Sequence, residues 1–373
     1  MEFLATRATL EEALTKISGA VTSSSSLPVL EHVLIEVEGN DLILKATDLE
    51  LSLETAAKIN GESNGSCSVP ARKFQNLVQS LPSGDTEFSL KLTENEQVAM
   101  TVEEINSEFL LPALPSDEFP GLPEPEADNL ELDFKLPCDK LIDMLRNTQF
   151  AASTDATRGY LGGVLFDLGE DELTVVATDS HRLALHKLEY GDSTPEAEGS
   201  ILVPVGAIKE LVKILPDEGE VQVVSDGNLT EFIFNDSRLV SRLIDEDFPD
   251  YHRVIPEDYE NRTTIDCNRL LDAVKRVSLV ADEKTRRLIL AFSPSELTVK
   301  AENTEEGQGE ERLNIEGGEE LEIAFNGDYL AEVLKHIRDD QIHLDLISAD
   351  SPGTFRPLTA EDYLYIVMPM RLT

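Results

Sequence analysis

The sequence predicts an α+β protein that consists of three copies of one structural unit, each roughly a third of the 373 residues. One repeated motif is an apolar strand end followed by a three-turn amphipathic helix, at 69–82, 203–216 and, more weakly, 324–337. A second motif is an alternating strand with a polar end, at 42–48, 173–179 and 297–303. The copies lie roughly 120 to 135 residues apart, which is too long for ordinary solenoid repeats. Three copies indicate a pseudo-symmetric assembly, such as a ring or part of one.

Each unit begins with an amphipathic helix, continues through two alternating strands, and then contributes the strand-and-helix motif. In the second unit, Leu141, Met144 and Leu145 fall at helical positions i, i+3 and i+4. Two of the helices end at a proline, which cannot continue a helix. The predicted helices span residues 9–20, 71–81, 139–149, 205–215, 268–279 and 327–338. Proline- and acid-rich links separate the units, so we expect domains at 1–126, 127–256 and 257–373.

The sequence gives little indication of catalysis, a bound metal or a membrane span. Cys67, Cys138 and Cys267 are widely spaced and form no zinc pattern, so we expect reduced thiols and a cytoplasmic protein. Segment 61–65 matches the G-x-S-x-G pattern of hydrolases, but its Asn-Gly pair and the strand after it favour a hairpin loop. No apolar run reaches the roughly 18 residues of a membrane span, and we expect no secretory signal, since none is visible in the first residues of the sequence. We therefore expect neither an enzyme nor a cofactor.

The charge is unevenly distributed along the chain. The net charge of −42 comes from 31 Lys and Arg against 73 Asp and Glu, and it argues at first against a nucleic-acid partner. The six predicted helices nevertheless hold 12 basic and 8 acidic residues, while the other 304 residues hold 19 basic and 65 acidic ones. Any solvated helix can mix Lys with Glu. Repetition in three units against an acidic background favours a surface that contacts phosphates without recognising bases.

Seven segments spread over the whole chain carry a family resemblance through their order and spacing, although none would suffice alone. They are Leu27-Pro28-Val29-Leu30, residues 46–50 (ATDLE), residues 69–74 (VPARKF), Leu114-Pro115 with Phe119-Pro120, residues 177–184 (ATDSHRLA), Phe248-Pro249-Asp250-Tyr251 and residues 367–372 (VMPMRL). Together they resemble the bacterial DNA polymerase III beta subunit, the sliding clamp family.

The resemblance implies a head-to-tail homodimeric ring of six similar clamp domains, each with two helices on the inner face and antiparallel sheets outside. Duplex DNA would pass through the ring without sequence preference. An ATP-driven clamp loader, subunits of the replicative DNA polymerase, and other repair and replication proteins would be its partners. The implied function is processivity, and the acidic exterior fits because it disfavours DNA outside the ring. The alternatives are an acidic three-repeat scaffold that binds only proteins and, third, an enzyme.

The resemblance also implies a pocket for partner peptides between the second and third domains. Methionines there would suit several partners, because their side chains adapt to different surfaces. The C-terminal run could alternatively be a last core strand. The matching positions are Leu161, Thr178, His181, Arg182, Leu183, Pro249, Arg253, Val254, Val367, Met368, Pro369, Met370, Arg371 and Leu372.

By the same matching, Phe109 and Leu111 of the first domain would meet Leu279 and Val280 of the third domain in the partner subunit. The implied DNA-facing residues are Lys16, Arg72, Lys73, Arg146, Arg158, Tyr160, Lys209, Lys213, Arg269, Lys275, Arg276, Lys335 and Arg338. The sequence departs from the family pattern at four places: Ser24, where many members carry Arg nearby; Asp155, in a loop that touches DNA in some members; Val205-Gly206, often basic; and Ser180, where glycine is usual. We expect direct DNA contact to be weaker than in relatives.

Overall fold

The computed structural model describes residues 1–83, 85–155, 157–190, 198–256, 261–303, 307–360 and 362–372. Within these residues the chain forms six α-helices and 26 β-strands, so the predicted α+β class is confirmed. None of the described helices is long and apolar enough to cross a membrane. The predicted boundary between residues 256 and 257 adjoins 257–260, which lie outside the described residues.

All six predicted helices are present, with ends that differ from the predicted ones by at most three residues. The first begins earlier than expected because the Thr6 hydroxyl accepts the N–H of Thr9 at 3.2 Å and caps it. The last ends at His336, since Ile337 has extended backbone angles (φ −84°, ψ 126°). The helices are α1 (Arg7–Ile17), α2 (Ala71–Ser80), α3 (Cys138–Thr148), α4 (Val205–Ile214), α5 (Cys267–Val277) and α6 (Gly327–His336).

The strands of the described residues form four sheets, and their paired neighbours run antiparallel. The strands are β1 (Glu2–Thr6), β2 (His32–Glu38), β3 (Asp41–Thr47), β4 (Leu51–Lys58), β5 (Asn60–Ser63), β6 (Gly65–Pro70), β7 (Glu87–Leu92), β8 (Gln97–Val102), β9 (Ser107–Pro112), β10 (Leu132–Pro137), β11 (Gly163–Leu168), β12 (Glu172–Thr178), β13 (Arg182–Glu189), β14 (Gly199–Pro204), β15 (Glu220–Ser225), β16 (Leu229–Phe234), β17 (Ser237–Arg242), β18 (Asn261–Asp266), β19 (Arg287–Ser293), β20 (Glu296–Asn303), β21 (Gly307–Asn314), β22 (Glu316–Gly317), β23 (Leu321–Asn326), β24 (Gln341–Leu346), β25 (Gly353–Pro357) and β26 (Tyr363–Val367).

Two of the sheets join strands from different repeats. The eight-stranded sheet has the order β10-β15-β16-β17-β4-β3-β2-β6, and the pairing of β17 with β4 links the first two predicted domains. The nine-stranded sheet has the order β14-β11-β12-β13-β26-β25-β24-β18-β22, and β13 with β26 links the last two. The smaller sheets are β5-β1-β7-β8-β9 and β21-β20-β19-β23. Because β5 and β6 belong to different sheets, the predicted hairpin at 61–65 is wrong.

The chain divides into two compact units, one of residues 1–139 with 209–243 and one of residues 140–208 with 244–373. Each long sheet lies within one unit and takes strands from two of the predicted domains. The limits of the three predicted domains therefore cannot be drawn from strand pairing, because hydrogen bonding continues across each predicted boundary.

Each of α1, α2, α5 and α6 buries one apolar face and leaves its polar face to solvent. Full burial of a leucine contributes about 1.5–3 kcal/mol, so this face rather than helix propensity holds the helix in place. In α5 the exposed face carries Arg269, Lys275 and Arg276. Its buried face consists of Cys267, Leu270, Ala273, Val274 and Val277.

One tight turn recurs three times, at 47–51, 178–182 and 225–229. In each copy the first residue, Thr or Ser, accepts the N–H of the third residue through its hydroxyl, at 3.0, 3.2 and 3.2 Å respectively. The aspartate at the second position accepts the N–H groups of the fourth and fifth residues. The third residue has a positive φ each time: 80° for Leu49, 75° for Ser180 and 84° for Gly227. Only glycine adopts that conformation without crowding a Cβ atom.

Candidate peptide pocket and basic helix faces

A cavity of about 220 Å³ lies beside the turn between β12 and β13. Its other walls come from the segment 249–254, which contains a short 3₁₀ turn, and from the end of β26. Most of its walls are apolar, and Met368 is 37% exposed. The lining residues are Leu161, Thr178, Ser180, Arg182, Leu183, Pro249, Asp250, Tyr251, Val254, Ile366 and Met368.

Half of the residues that were expected to form a pocket line this cavity: Leu161, Thr178, Arg182, Leu183, Pro249, Val254 and Met368. Distant parts of the chain thus meet because β13 pairs with β26, placing Arg182 opposite Val367. Among the lining residues, sequence reasoning did not select Ser180, Asp250, Tyr251 and Ile366. The first three lie inside the quoted motifs, so attention to every motif position would have found them.

The other expected residues do not line the cavity. The exposed His181 ring stacks on Tyr329, with 5.8 Å between ring centroids, and Arg253 forms an ion pair with Asp250 at 2.8 Å. Val367 is buried in β26. The C-terminal residues from Pro369 onward leave the strand: Met370 donates its N–H to the carbonyl of Ala324, and the carbonyls of Arg371 and Leu372 accept from Arg287.

Arg182 is held rigidly at the cavity wall. Its Nε donates to Asp179 Oδ2 at 3.2 Å, and its Nη2 donates to the carbonyl of Phe150 at 2.8 Å. The guanidinium carbon lies 5.3 Å from the ring centroid of Phe150 and 5.0 Å from that of Tyr329. Cation–π contacts on two rings restrict a side chain that would otherwise be mobile. Arg182 therefore presents a fixed positive charge beside apolar walls.

Tyr251 anchors the segment that forms the outer wall. Its ring packs in an apolar cluster with Leu183 and Ile366, and its hydroxyl donates to Asp167 Oδ2 at 2.7 Å. Burial, followed by the bond to the Asp167 carboxylate, raises the pKa of Tyr251 above its usual range, so the hydroxyl remains a donor at neutral pH. Upstream of the segment, Ile244 donates its N–H to the carbonyl of Leu202 at 3.0 Å.

The expected DNA-facing bases divide into paired and unpaired groups. Five have a carboxylate partner: Lys16 with Glu12, Lys213 with Glu210, Arg276 with Glu311, Lys335 with Glu332, and Arg338 with Asp143. Seven form no ion pair with any described residue: Arg72, Lys73, Arg146, Arg158, Lys209, Arg269 and Lys275. Exposed Lys–Glu pairs contribute only about 0–1 kcal/mol, so phosphates can displace them more easily than the two-pronged Arg276–Glu311 pair.

Tyr160 and the positions at which the sequence departs from the family pattern on the expected DNA side are solvent-accessible. Tyr160 packs in part against the apolar cluster beside the cavity. Ser24 and Gly206 are exposed and carry no charge. Asp155 is exposed, and its carboxylate accepts from the N–H and hydroxyl of Thr157, which lowers the pKa of Asp155.

The residues expected at a subunit contact differ in exposure. Leu279 is 79% exposed, the highest value among the exposed large apolar side chains of the described residues, and Val280 is half-buried beside it. On the edge strand β9, Leu111 is only 9% exposed because it pairs with the buried Val98 and faces the core. Its neighbour Leu110, which was not expected, is 56% exposed on the opposite face of the strand. Alternation along β9 therefore exposes Leu110 in the single chain and not Leu111.

Comparison with known proteins gives full-length matches. Sequence profiles of the DNA polymerase III beta subunit match its N-terminal domain at residues 1–123, its central domain at 135–250 and its C-terminal domain at 252–371. The beta sliding clamps of Proteus mirabilis and Escherichia coli K12 are each 33% identical to this chain, with all of both chains covered.

Solved structures agree with these matches. A sliding clamp from Pseudomonas aeruginosa bound to griselimycin has a TM-score of 0.95 at 32% identity, and the beta subunit from Thermotoga maritima has 0.91 at 28%, each over all of both chains. The predicted three-repeat clamp fold and the predicted family are both confirmed. The chain belongs to the DNA polymerase III beta subunit family, the beta sliding clamps, which are processivity factors and not enzymes.

Proposed function

We propose that two copies of this chain close a ring around duplex DNA and that the cavity beside the β12–β13 turn holds the replicative polymerase and repair proteins by a peptide segment. The observation that carries the proposal is the apolar cavity in a chain that matches, over its full length, a clamp bound to griselimycin. The protein would act in the cytoplasm, with duplex DNA, a clamp loader and other replication proteins as its partners.

For the pocket, we assign the main contacts with the peptide to the apolar side chains of Leu161, Leu183, Val254 and Met368, with Pro249 at the rim. Apolar anchors of a partner peptide would enter between them, since peptide sites combine apolar walls with a few fixed polar groups. Thr178 and Arg182 belong to the pocket, with His181 and Arg253 beside it. Val367 would support the floor, and Pro369, Met370, Arg371 and Leu372 would fix the C-terminal edge.

For DNA, we assign the main contacts to the seven bases that have no described carboxylate partner, with the five paired bases and Tyr160 in a lesser role. Contact through Lys and Arg alone is independent of base sequence, as sliding requires. A ring needs no tight grip because enclosure itself retains the DNA. The overall charge of −42 is compatible with this role, since the acidic residues lie mostly outside the six helices.

For ring closure, we propose that Phe109 and Leu111 meet the partner subunit at Leu279 and Val280, and we extend this contact to the exposed Leu110. Such a head-to-tail contact closes a ring when it is used twice. Burial of Leu279 would remove one of the largest exposed apolar side chains from water. The three clamp domains in this arrangement would be residues 1–126, 127–256 and 257–373.

The proposed ring contact is tested by the mass of the full-length protein in solution. Light scattering after size exclusion should give a dimer at micromolar concentration, and Leu279→Asp should give a folded monomer because a charge cannot be buried there without a partner. Ile347→Asp is the matched control, since Ile347 is also an exposed apolar side chain but lies outside the proposed contact. A wild-type monomer, or a Leu279→Asp dimer of unchanged stability, would contradict the proposal.

A further inference from the structure

Ser180 occupies a backbone conformation that suits glycine better than serine. Its φ is +75°, in the left-handed region, and in the copy of the same turn at 225–229 the equivalent residue is Gly227. A residue with a Cβ atom is strained there, and such strain concentrates at functional positions. Ser180 also lines the cavity and is exposed at its edge. A side chain is thus kept at the cavity where a glycine would form the turn more easily.

Among the described residues the hydroxyl of Ser180 has no hydrogen-bond partner, whereas each of the other polar side chains of the cavity makes at least one hydrogen bond or ion pair. Thr178 donates to the carbonyl of Arg182 at 2.6 Å and accepts the N–H of Ser180 at 3.2 Å. Arg182 is held by a carboxylate and a carbonyl, Tyr251 donates to a carboxylate, and Asp250 forms an ion pair. No residue of the described part of the chain hydrogen-bonds Ser180 Oγ.

We infer that the Ser180 hydroxyl donates a hydrogen bond to a backbone carbonyl of the peptide bound in the cavity. This inference rests on the proposed function of the cavity. Apolar walls accept side chains without fixing the direction of a peptide, and a placed hydrogen-bond donor contributes to fixing it. Every peptide presents carbonyl oxygens whatever its sequence, so the donor serves several partners. Ser180 is then a specificity-determining residue for the peptide direction.

The test uses the full-length protein, with griselimycin as the probe and calorimetry to measure affinity. Ser180→Ala removes the hydroxyl but keeps the Cβ atom and its strain, and it should weaken binding about 2- to 12-fold, the effect of one lost hydrogen bond. Ser180→Gly should weaken binding by the same factor, while its unfolding temperature rises because glycine suits the positive φ.

Leu49→Gly is the matched control, since Leu49 holds the same position in the first copy of the turn (φ 80°) and does not line the cavity. It should raise the unfolding temperature and leave the affinity unchanged. Unchanged affinity of Ser180→Ala would overturn the role of the hydroxyl but not the pocket itself. If only Ser180→Gly lost affinity, the Cβ atom or the backbone conformation would be responsible, and the inference would again be wrong. A wild-type protein that does not bind griselimycin would overturn the proposed pocket as well.

Discussion

Removing the Tyr251 hydroxyl should loosen the outer wall of the cavity without unfolding the protein. Tyr251→Phe deletes only the 2.7 Å bond to Asp167, and the ring remains in its apolar cluster. A hydrogen bond to a charged group contributes about 1.5–3 kcal/mol. Asp167 is half-buried and regains water in the variant, so we expect the lower value, about 1.5 kcal/mol. If the whole of this energy is lost from holding the outer wall in its observed position, peptide affinity falls by about tenfold at most.

The assay is griselimycin binding by calorimetry together with thermal unfolding of the full-length protein. Tyr190→Phe is the control, because it removes the same group from a half-buried tyrosine whose buried hydroxyl has no partner among the described residues. It should change neither the affinity nor, by more than a few tenths of a kcal/mol, the stability. Wild-type affinity in Tyr251→Phe would refute the anchoring role, and so would an equal loss in Tyr190→Phe.

Three further predictions concern charge. Arg72→Ala should shorten the time that the protein stays on DNA more than Arg276→Ala does, because Arg276 already forms an ion pair with Glu311. Equal effects of the two variants in a DNA-retention assay would contradict the division into paired and unpaired bases. Burial lowers the pKa of His186 below 6.5, although the nearby carboxylates of Asp362 and Asp143 act in the opposite direction. The folded protein therefore favours the neutral imidazole. The resulting stability is fully present above pH 6.5 and is lost as the pH falls through the lowered pKa of the folded state. The unfolding free energy of the wild type should therefore drop more than that of His186→Gln between about pH 7 and pH 5, and parallel curves would refute this. The unfolding temperature should rise between about 0.05 and 1 M NaCl, since salt screens repulsion within a chain of net charge −42; a flat dependence would argue against self-repulsion.

The local structure was largely predictable from the sequence, and the long-range pairing was not. The apolar period of three to four residues located α5 within two residues at each end. The short strand β5 was missed because Asn60–Ser63 is polar and pairs with β1, far away in the chain. Nor does any local signal indicate that β17 pairs with β4, since neither strand determines its neighbour alone. The repeats were visible, but the sheets that run across them were not.

In the candidate site, too, the local features were predictable from the sequence and the long-range contacts were not. The motif at 177–184 located the turn that carries Thr178 and Arg182, because its sequence is distinctive over several residues. The bond from Tyr251 to Asp167 joins residues 84 positions apart, and no spacing rule predicts it. At β9, matching by motif selected the buried Leu111, whereas strand alternation alone would have drawn attention to the exposed Leu110.

Retention on circular and linear DNA tests the central claim of enclosure most directly. The protein is loaded onto a nicked circular duplex by its clamp loader with ATP, free protein is removed, and half of the sample is cut once with a restriction enzyme. A ring that holds DNA by enclosing it remains on the intact circle and is lost rapidly from the cut molecule by sliding off its ends. Equal loss from circular and linear DNA would contradict enclosure and would leave direct phosphate binding as the only means of attachment.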